Sequence, residues 1–361
     1  MRLPALILAA FLSIAAAMPP PPAALQPYIK DGRFDPGDYG WLRGRFEDAS
    51  PADRETTIAI AKWMDACFAA GQEESLEKLR AMGVAEPKLE RSDFRDALCA
   101  AVANTPWPLD LKSFAAFDRA ANEARPIAEA YLTAVRRAEE MGGPRGPTLA
   151  DEILARPLGE QMLRAGLSWG EGQMADAPPL SPEVRAVVRS RIGAALAERD
   201  RANTAWLKQV VEKEGWPKRS VVGEAAAFQA WLLVQHADAD PAFQLQALRL
   251  MEPLLASGEA SERNYAYLYD RVMLKIAGKQ RYGTQAMCRG GKRGLQPLED
   301  EAAVERLRRE AGLETVAEYM GQLQTTFGGC PPDPPQPHQP VPQPAGAASR
   351  PEARRIGWRV P

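Results

Sequence analysis

The run A-A-A-F-Q-A-W-L-L-V-Q-H-A at residues 225–237 is apolar on nearly every side of a helix, through Phe228, Trp231, Leu232, Leu233 and Val234. A surface helix keeps one polar stripe, so a helix lacking one belongs in the middle of a helical domain. Its neighbours read the same way. Upstream, Pro182 opens a long helix that G-W-P at 215–217 stops, and Ser220 is placed to cap the next one. Downstream, residues 241–256 and 259–277 carry helical periodicity, and residues 299–327 form a last pair broken at Gly312. No segment shows the strict alternation of a half-buried strand. The fold class is all-α.

The N-terminal half extends this pattern. Residues 31–50 read as an ordered loop or short hairpin, and from Asp53 apolar side chains recur at helical spacing. One stripe is Ile58, Ile60, Ala61, Met64 and Phe68; Leu76, Leu79 and Met82 form the next. Phe94, Leu98 and Val102, then Leu111, Phe114 and Phe117, then Ile127, Tyr131 and Val135 continue it. Asp53 and Ser92 stand where N-caps are expected, and Gly71, Gly83 and Gly142 where helices end. The glycine and proline cluster M-G-G-P-R-G-P at 141–147 is a hinge signal. It divides the chain into an N-terminal helical domain, residues 28–146, and a C-terminal one, residues 150–328, with a loop at 166–182. Helix pairs of this length suit a small bundle or solenoid, but no repeat at the residue level establishes the latter.

The ends predict export. Arg2, an apolar run over Leu3–Ile14 and Ala15-Ala16-Ala17 make a signal peptide cleaved near Ala17, with a periplasmic or secreted product. The run is shorter than the roughly 20 residues of a spanning helix, so no integral membrane segment is expected after cleavage. The chain from 331 to 361 is proline-rich, with P-P-D-P-P-Q-P at its start. It favours extended polyproline II, carries too little apolar surface for a core, and is expected to be disordered. A formal charge of -2 with both signs interspersed gives no footprint for nucleic acid or an anionic membrane. Cys67, Cys99, Cys288 and Cys330 lack the C-x-x-C spacing of zinc or redox motifs. In an oxidising compartment they are disulfide candidates, with pairing within each half favoured, the alternative being four buried thiols.

Polar side chains between the apolar runs of the second half supply the candidate site. His236 ends the buried helix. The helix dipole accounts for a protonated histidine there, by roughly 0.3–1 kcal/mol. The chemical alternative is a general base oriented by Asp238 or Asp270, since imidazole titrates near neutrality. Arg271 offers a bidentate fork for a carboxylate or phosphate. Gln235, Gln280, Tyr282, Thr284 and Gln285 are groups that line a polar pocket or, equally, satisfy buried helix ends. H-x-D-x-D at 236–240 has the wrong spacing for metal ligands on one helical face, and no metal or cofactor is expected. S-L-E-K at 75–78 lacks the companion elements of penicillin-recognising enzymes. No G-x-S-x-G, H-E-x-x-H or phosphate-cradling loop occurs.

Several motifs in order, N-x-x-W-L from Asn203, G-W-P, V-G-E-A-A-A at 222–227, W-L-L-V-Q-H-A-D at 231–238, Y-A-Y-L-Y-D-R-V at 265–272 and Y-G-T-Q at 282–285, resemble a bacterial domain family of unknown function over about residues 185–320. The resemblance implies a domain boundary and draws interest to Gln235, His236, Asp238, Asp270, Arg271, Gln280, Tyr282 and Gln285. The leading functional expectation is an exported ligand-binding or protein-interaction module without catalysis. One rival is a hydrolase-like enzyme using His236 with Asp238 or Asp270, with Arg271 and the Y-G-T-Q loop holding an anionic or amide-bearing substrate. Another is a structural envelope protein tethered to an envelope partner by the proline-rich tail.

Overall fold

A computed structural model describes residues 19–89, 97–105, 111–169 and 180–330. The leader, Ser92, Phe94 and the tail lie outside the described residues. The fold is all-α with two small hairpins. Helix α1 (Pro51–Ala81) is capped by Ser50, whose hydroxyl accepts from the Asp53 N–H while the Asp53 carboxylate accepts from the Ser50 N–H. Asp53 is therefore the third helical residue of a capping box, not the cap itself. Gly71, expected to end a helix, lies buried inside α1. A glycine costs about 1 kcal/mol in a helix interior, too little to break a helix with packing partners along its length.

After α2 (Ala97–Ala103), helix α3 (Phe114–Met141) runs to Gly142, and the 141–147 segment is its turn into α4 (Leu149–Ala155). Helix α5 (Pro157–Leu167) then packs back on α3. The approach is close, since a Cβ at Gly166 would lie 2.5 Å from the Tyr131 ring. Helix α6 (Pro182–Glu214) starts at a Ser181 cap with Pro182 in its first turn and stops at Gly215, as its sequence predicts. The short α7 (Arg219–Val222) leads to α8 (Glu224–Gln235), the apolar run. Ser220 is not a cap. It lies inside α7, its N–H bonded to the Glu259 carboxylate at 2.9 Å, and Gly223 (φ 83°) opens α8. Helices α9 (Pro241–Met251) and α10 (Glu262–Ala277) follow, then α11 (Val304–Glu310) and α12 (Val316–Phe327) on either side of Gly312.

Two main apolar cores and two smaller clusters result among the described residues. The first joins Leu42, Phe46, Ile60, Trp63 and Phe117 to Leu163, Val184, Val188 and Ile192, so it draws on residues from both sides of the 141–147 turn. The second gathers Leu207, Val211, Trp216, Leu233, Phe243, Leu248, Leu268 and Val272, with Leu79 from the far end of α1. Helices α1 and α6 each feed both cores, and this couples the two halves mechanically.

The hairpins are turn-driven. Strands β1 (Ile29–Lys30) and β2 (Arg33–Phe34) join through Asp31-Gly32 with φ of 50° and 73°. Strands β3 (Ala286–Arg289) and β4 (Lys292–Leu295) join through Gly290-Gly291 with φ of 56° and 72°. Positive φ at both central residues is the two-residue hairpin geometry that matches strand twist. The cysteines pair within each half, Cys67 with Cys99 and Cys288 with Cys330. The first pair lies in the first core and ties α1 to α2 across 32 residues. Its removal in a Cys67→Ser/Cys99→Ser variant should cost about 2–4 kcal/mol by freeing the unfolded chain, read as a lower urea midpoint with an otherwise native circular dichroism spectrum. Among the described residues no helix is long and apolar enough to cross a membrane.

Candidate functional site

The end of α8 meets α5 and α6 at a buried carboxylate. Glu160 occupies the apolar face of α5 with Pro157 and Leu163, and it is fully buried. A buried charge requires partners. His236 Nδ1 contacts one Glu160 oxygen, and the Asn203 amide donates to the other at 3.0 Å. Burial works to raise the Glu160 carboxyl, but His236, Asn203 and the nearby Arg164 outweigh it and hold the group below its ordinary value. One turn earlier on α6, both Asp200 oxygens accept from a single Arg164 nitrogen, Nη2, at 2.8 and 2.9 Å. Burial pushes Asp200 up to about 7, with Arg164 opposing and the charges of Glu160 and Asp238 adding to the rise.

The carboxylates expected to orient His236 are engaged elsewhere. Asp238 accepts from Arg271 at 2.8 and 3.0 Å and from Lys275 at 2.8 Å. Desolvation opposes its charge, yet Lys275 and Arg271 hold it well below the usual carboxylate range. Lys275 also donates to the Asp238 carbonyl and to Gln244, so α10 is fastened to the turn after α8. Asp240 caps α9 through the Phe243 N–H and pairs with Lys208.

Asp270 organises the Y-G-T-Q loop. It is fully buried and accepts from the backbone N–H groups of Arg281 (2.7 Å), Tyr282 (2.9 Å) and Thr284 (2.8 Å), and from the Thr284 hydroxyl (2.9 Å). Burial pushes its carboxyl up, and these donors pull against it. Gln280, also fully buried, donates to the carbonyls of Gln285 and Gln296 and accepts from the Gln285 N–H. From the other side, the buried Arg308 donates to the carbonyls of Tyr282, Gly283 and Glu314, and the Tyr319 hydroxyl donates to that of Thr284. The Tyr282 ring packs edge-on against Tyr269 with centroids 5.7 Å apart. Asp270, Gln280 and Tyr282 are thus spent on holding the loop.

What the loop borders is a cleft of about 400 Å³ between α10, β3 and α12. Gln235, Arg271, Thr284 and Gln285 supply its polar wall with Tyr267, Tyr319 and Arg293, while Met287, Leu323 and Phe327 supply the apolar one. Two buried atoms here, Gln235 Oε1 and Arg271 Nε, meet no hydrogen-bond partner among the described residues. Of the residues singled out by sequence, Gln235, Arg271 and Gln285 converge on this cleft; His236, Gln280 and Tyr282 do not line it. The residues that sequence reasoning missed are Glu160, Asn203, Asp200 and Arg164 around His236, and Lys275 and Arg308 around the loop. One signal existed for Glu160: a carboxylate three residues from both Pro157 and Leu163, in register with the apolar face of α5.

Residues 186–330 match the model of a family of unknown function, DUF6624. No curated protein and no solved structure matches the chain significantly. The matched span contains the cleft and His236, whereas Glu160 and Arg164 precede it.

Proposed function

We propose that this protein is an exported ligand-binding module that holds a small amide-bearing carboxylate in the cleft beside the Y-G-T-Q loop. The observation that carries this reading is the pair of orphaned polar atoms in the cleft wall. Gln235 is only 7% exposed, and its Oε1, like Arg271 Nε, is buried without an internal partner. An orphaned buried polar atom costs about 1–3 kcal/mol. Neighbouring Asp270, Thr284 and Gln280 have partners for their polar side-chain atoms, whereas Gln235 and Arg271 line the cleft, where a ligand would supply what is missing. A ligand N–H suits Gln235, a ligand carboxylate suits the Arg271 fork, and an apolar substituent suits Met287, Leu323 and Phe327. Export is supported by the two disulfides, which persist in oxidising compartments.

N-acetylphenylalanine titrated into the isotope-labelled protein tests the reading. Amide signals of Gln235, Thr284 and Gln285 should shift together. The N-acetylphenylalanine amide, which lacks the carboxylate, should bind at least tenfold more weakly. Equal binding of the two, or shifts confined to other regions, would sink the proposal. A second expectation needs no ligand. Gln235→Leu replaces an unsatisfied group with an apolar one of similar size, so it should leave stability unchanged or raise it by about 1 kcal/mol while removing the binding. A loss of 2 kcal/mol or more in urea unfolding would show that Gln235 is a structural residue.

A further inference from the structure

A second cavity shares no lining residue with the cleft beside the Y-G-T-Q loop, and only its α6 wall, from Ser190 to Arg201, falls within the family-matched span. It measures about 600 Å³ and opens between the β1–β2 hairpin, α2, α3 and the first half of α6. Its body is apolar, with Phe34, Pro36, Leu98 and Leu132 and the alanines of α2 and α6. Its charge is one-sided: Arg33, Arg136, Arg191 and Arg201 face Asp35 and Glu198. Arg33 is committed to Glu198 at 2.5 Å on the exposed rim, whereas Arg191 is largely buried and its nearest carboxylate, Glu129, stands 3.9 Å away.

Tyr39 lines this cavity and is unusual in two independent ways. It is 1% exposed, yet its hydroxyl donates to no acceptor among the described residues, and the Arg191 guanidinium lies beside it. Its backbone adopts the left-handed conformation, φ 59° and ψ 17°, which bulky side chains rarely take. The backbone departs from the favoured region and the result is a phenol at the cavity wall rather than in solvent. Burial raises the Tyr39 hydroxyl above its ordinary value, with Arg191 opposing, so it is a neutral donor beside a cation. Strained residues of this kind cluster at ligand sites.

We propose that this cavity binds a monocarboxylate with a hydrocarbon body, its carboxylate held by the Arg191 guanidinium and the Tyr39 hydroxyl and its chain lying against Phe34, Leu98 and Leu132. A guanidinium and a phenol are both donors, which fits an acceptor-only head group and excludes a cationic one. The apolar walls favour a hydrocarbon frame over a compact polyanion such as phosphate.

Calorimetric titration of the full chain with decanoate, below its micellar concentration, tests this. Decanoate should bind at a single site, with decanol and decyltrimethylammonium at least tenfold weaker. Arg191→Met should weaken decanoate binding at least tenfold. Tyr39→Phe, which keeps the ring against Phe117 and so preserves the fold, should weaken it about fivefold with unchanged thermal stability. Gln235→Leu should leave it untouched, because the two clefts are separate. The proposal is overturned if decanoate gives no saturable heat, if decanol binds as tightly, if Tyr39→Phe binds as the parent does, or if Gln235→Leu abolishes binding.

Discussion

His236→Ala will cost about 3–5 kcal/mol, the range for leaving a buried charge, here the Glu160 carboxylate, without its partner, even though histidine occupies a helix end where alanine is otherwise acceptable. Removing the imidazole leaves Glu160, fully buried, with only the Asn203 amide at 3.0 Å and the Gln161 amide at 3.2 Å as hydrogen-bond donors among the described residues. The charge, not the lost packing, sets the size. Glu160→Gln in the His236→Ala background should therefore recover most of the loss, and a double-mutant cycle in urea measures the coupling. If His236→Ala costs less than about 1 kcal/mol, or Glu160→Gln recovers nothing, the pair is not what holds α5 to α8. The pH dependence has a definite sign. The folded protein holds Glu160 below its ordinary value of 4.5, so its contribution is present above that value and is lost as pH falls through the lower folded one. Asp200 runs the other way. Its value rises from 3.8 to about 7, so its contribution is full below 3.8 and is lost as pH rises through about 7. Compared with the parent across this range, Glu160→Gln should flatten the acid side and Asp200→Asn the neutral side.

The local grammar of this fold was legible. Apolar periodicity found α1, α3 and α6, and proline and glycine placed the ends of α6 and the break between α11 and α12, because these signals act within one or two turns of chain. The β3–β4 hairpin was missed although Gly290-Gly291 is a turn signal, since strands of four residues carry too little alternation to register. Gly71 misled because burial overrides a propensity cost of about 1 kcal/mol. The site divides along the same line. The segments 231–238, 265–272 and 280–285 stood out as polar groups between apolar runs, and Gln235, Arg271 and Gln285 do meet at one cleft. Which carboxylate faces His236 was not legible. Asp238 is two residues away and Glu160 is 76 away, and only the crossing of α5 over the end of α8 selects the distant one. Pairings set by helix crossings leave no trace in spacing along the chain.

Asp270→Ala will unfold the Y-G-T-Q loop and cost about 3–5 kcal/mol, since it orphans three backbone N–H groups at once and each buried orphan costs about 1–3 kcal/mol. The Arg281, Tyr282 and Thr284 amides have no other acceptor in their hydrogen bonds to α10, and Thr284 is itself 2% exposed, so water does not replace the carboxylate without opening the structure. Asp270→Asn separates shape from acceptance. An asparagine of the same outline keeps one acceptor oxygen and turns an NH2 toward donors, so it should retain the Arg281 and Tyr282 bonds or the Thr284 bonds but not both sets, and should cost less than alanine. The damage should spread in a defined direction. Arg308 and Tyr319 reach the same loop through the carbonyls of Tyr282, Gly283 and Thr284, so α11 and α12 lose their anchor when the loop opens. Hydrogen exchange reads this directly: amides of residues 280–285 and of α12 should lose protection in Asp270→Ala, while those of α3, whose buried side chains lie in the first core, should not. Uniform loss of protection across both cores would mean that Asp270 supports the whole fold. Unchanged protection at 281–284 would mean that the loop is held by Arg308 and Gln280 alone, leaving the wall of the cleft independent of the carboxylate beneath it.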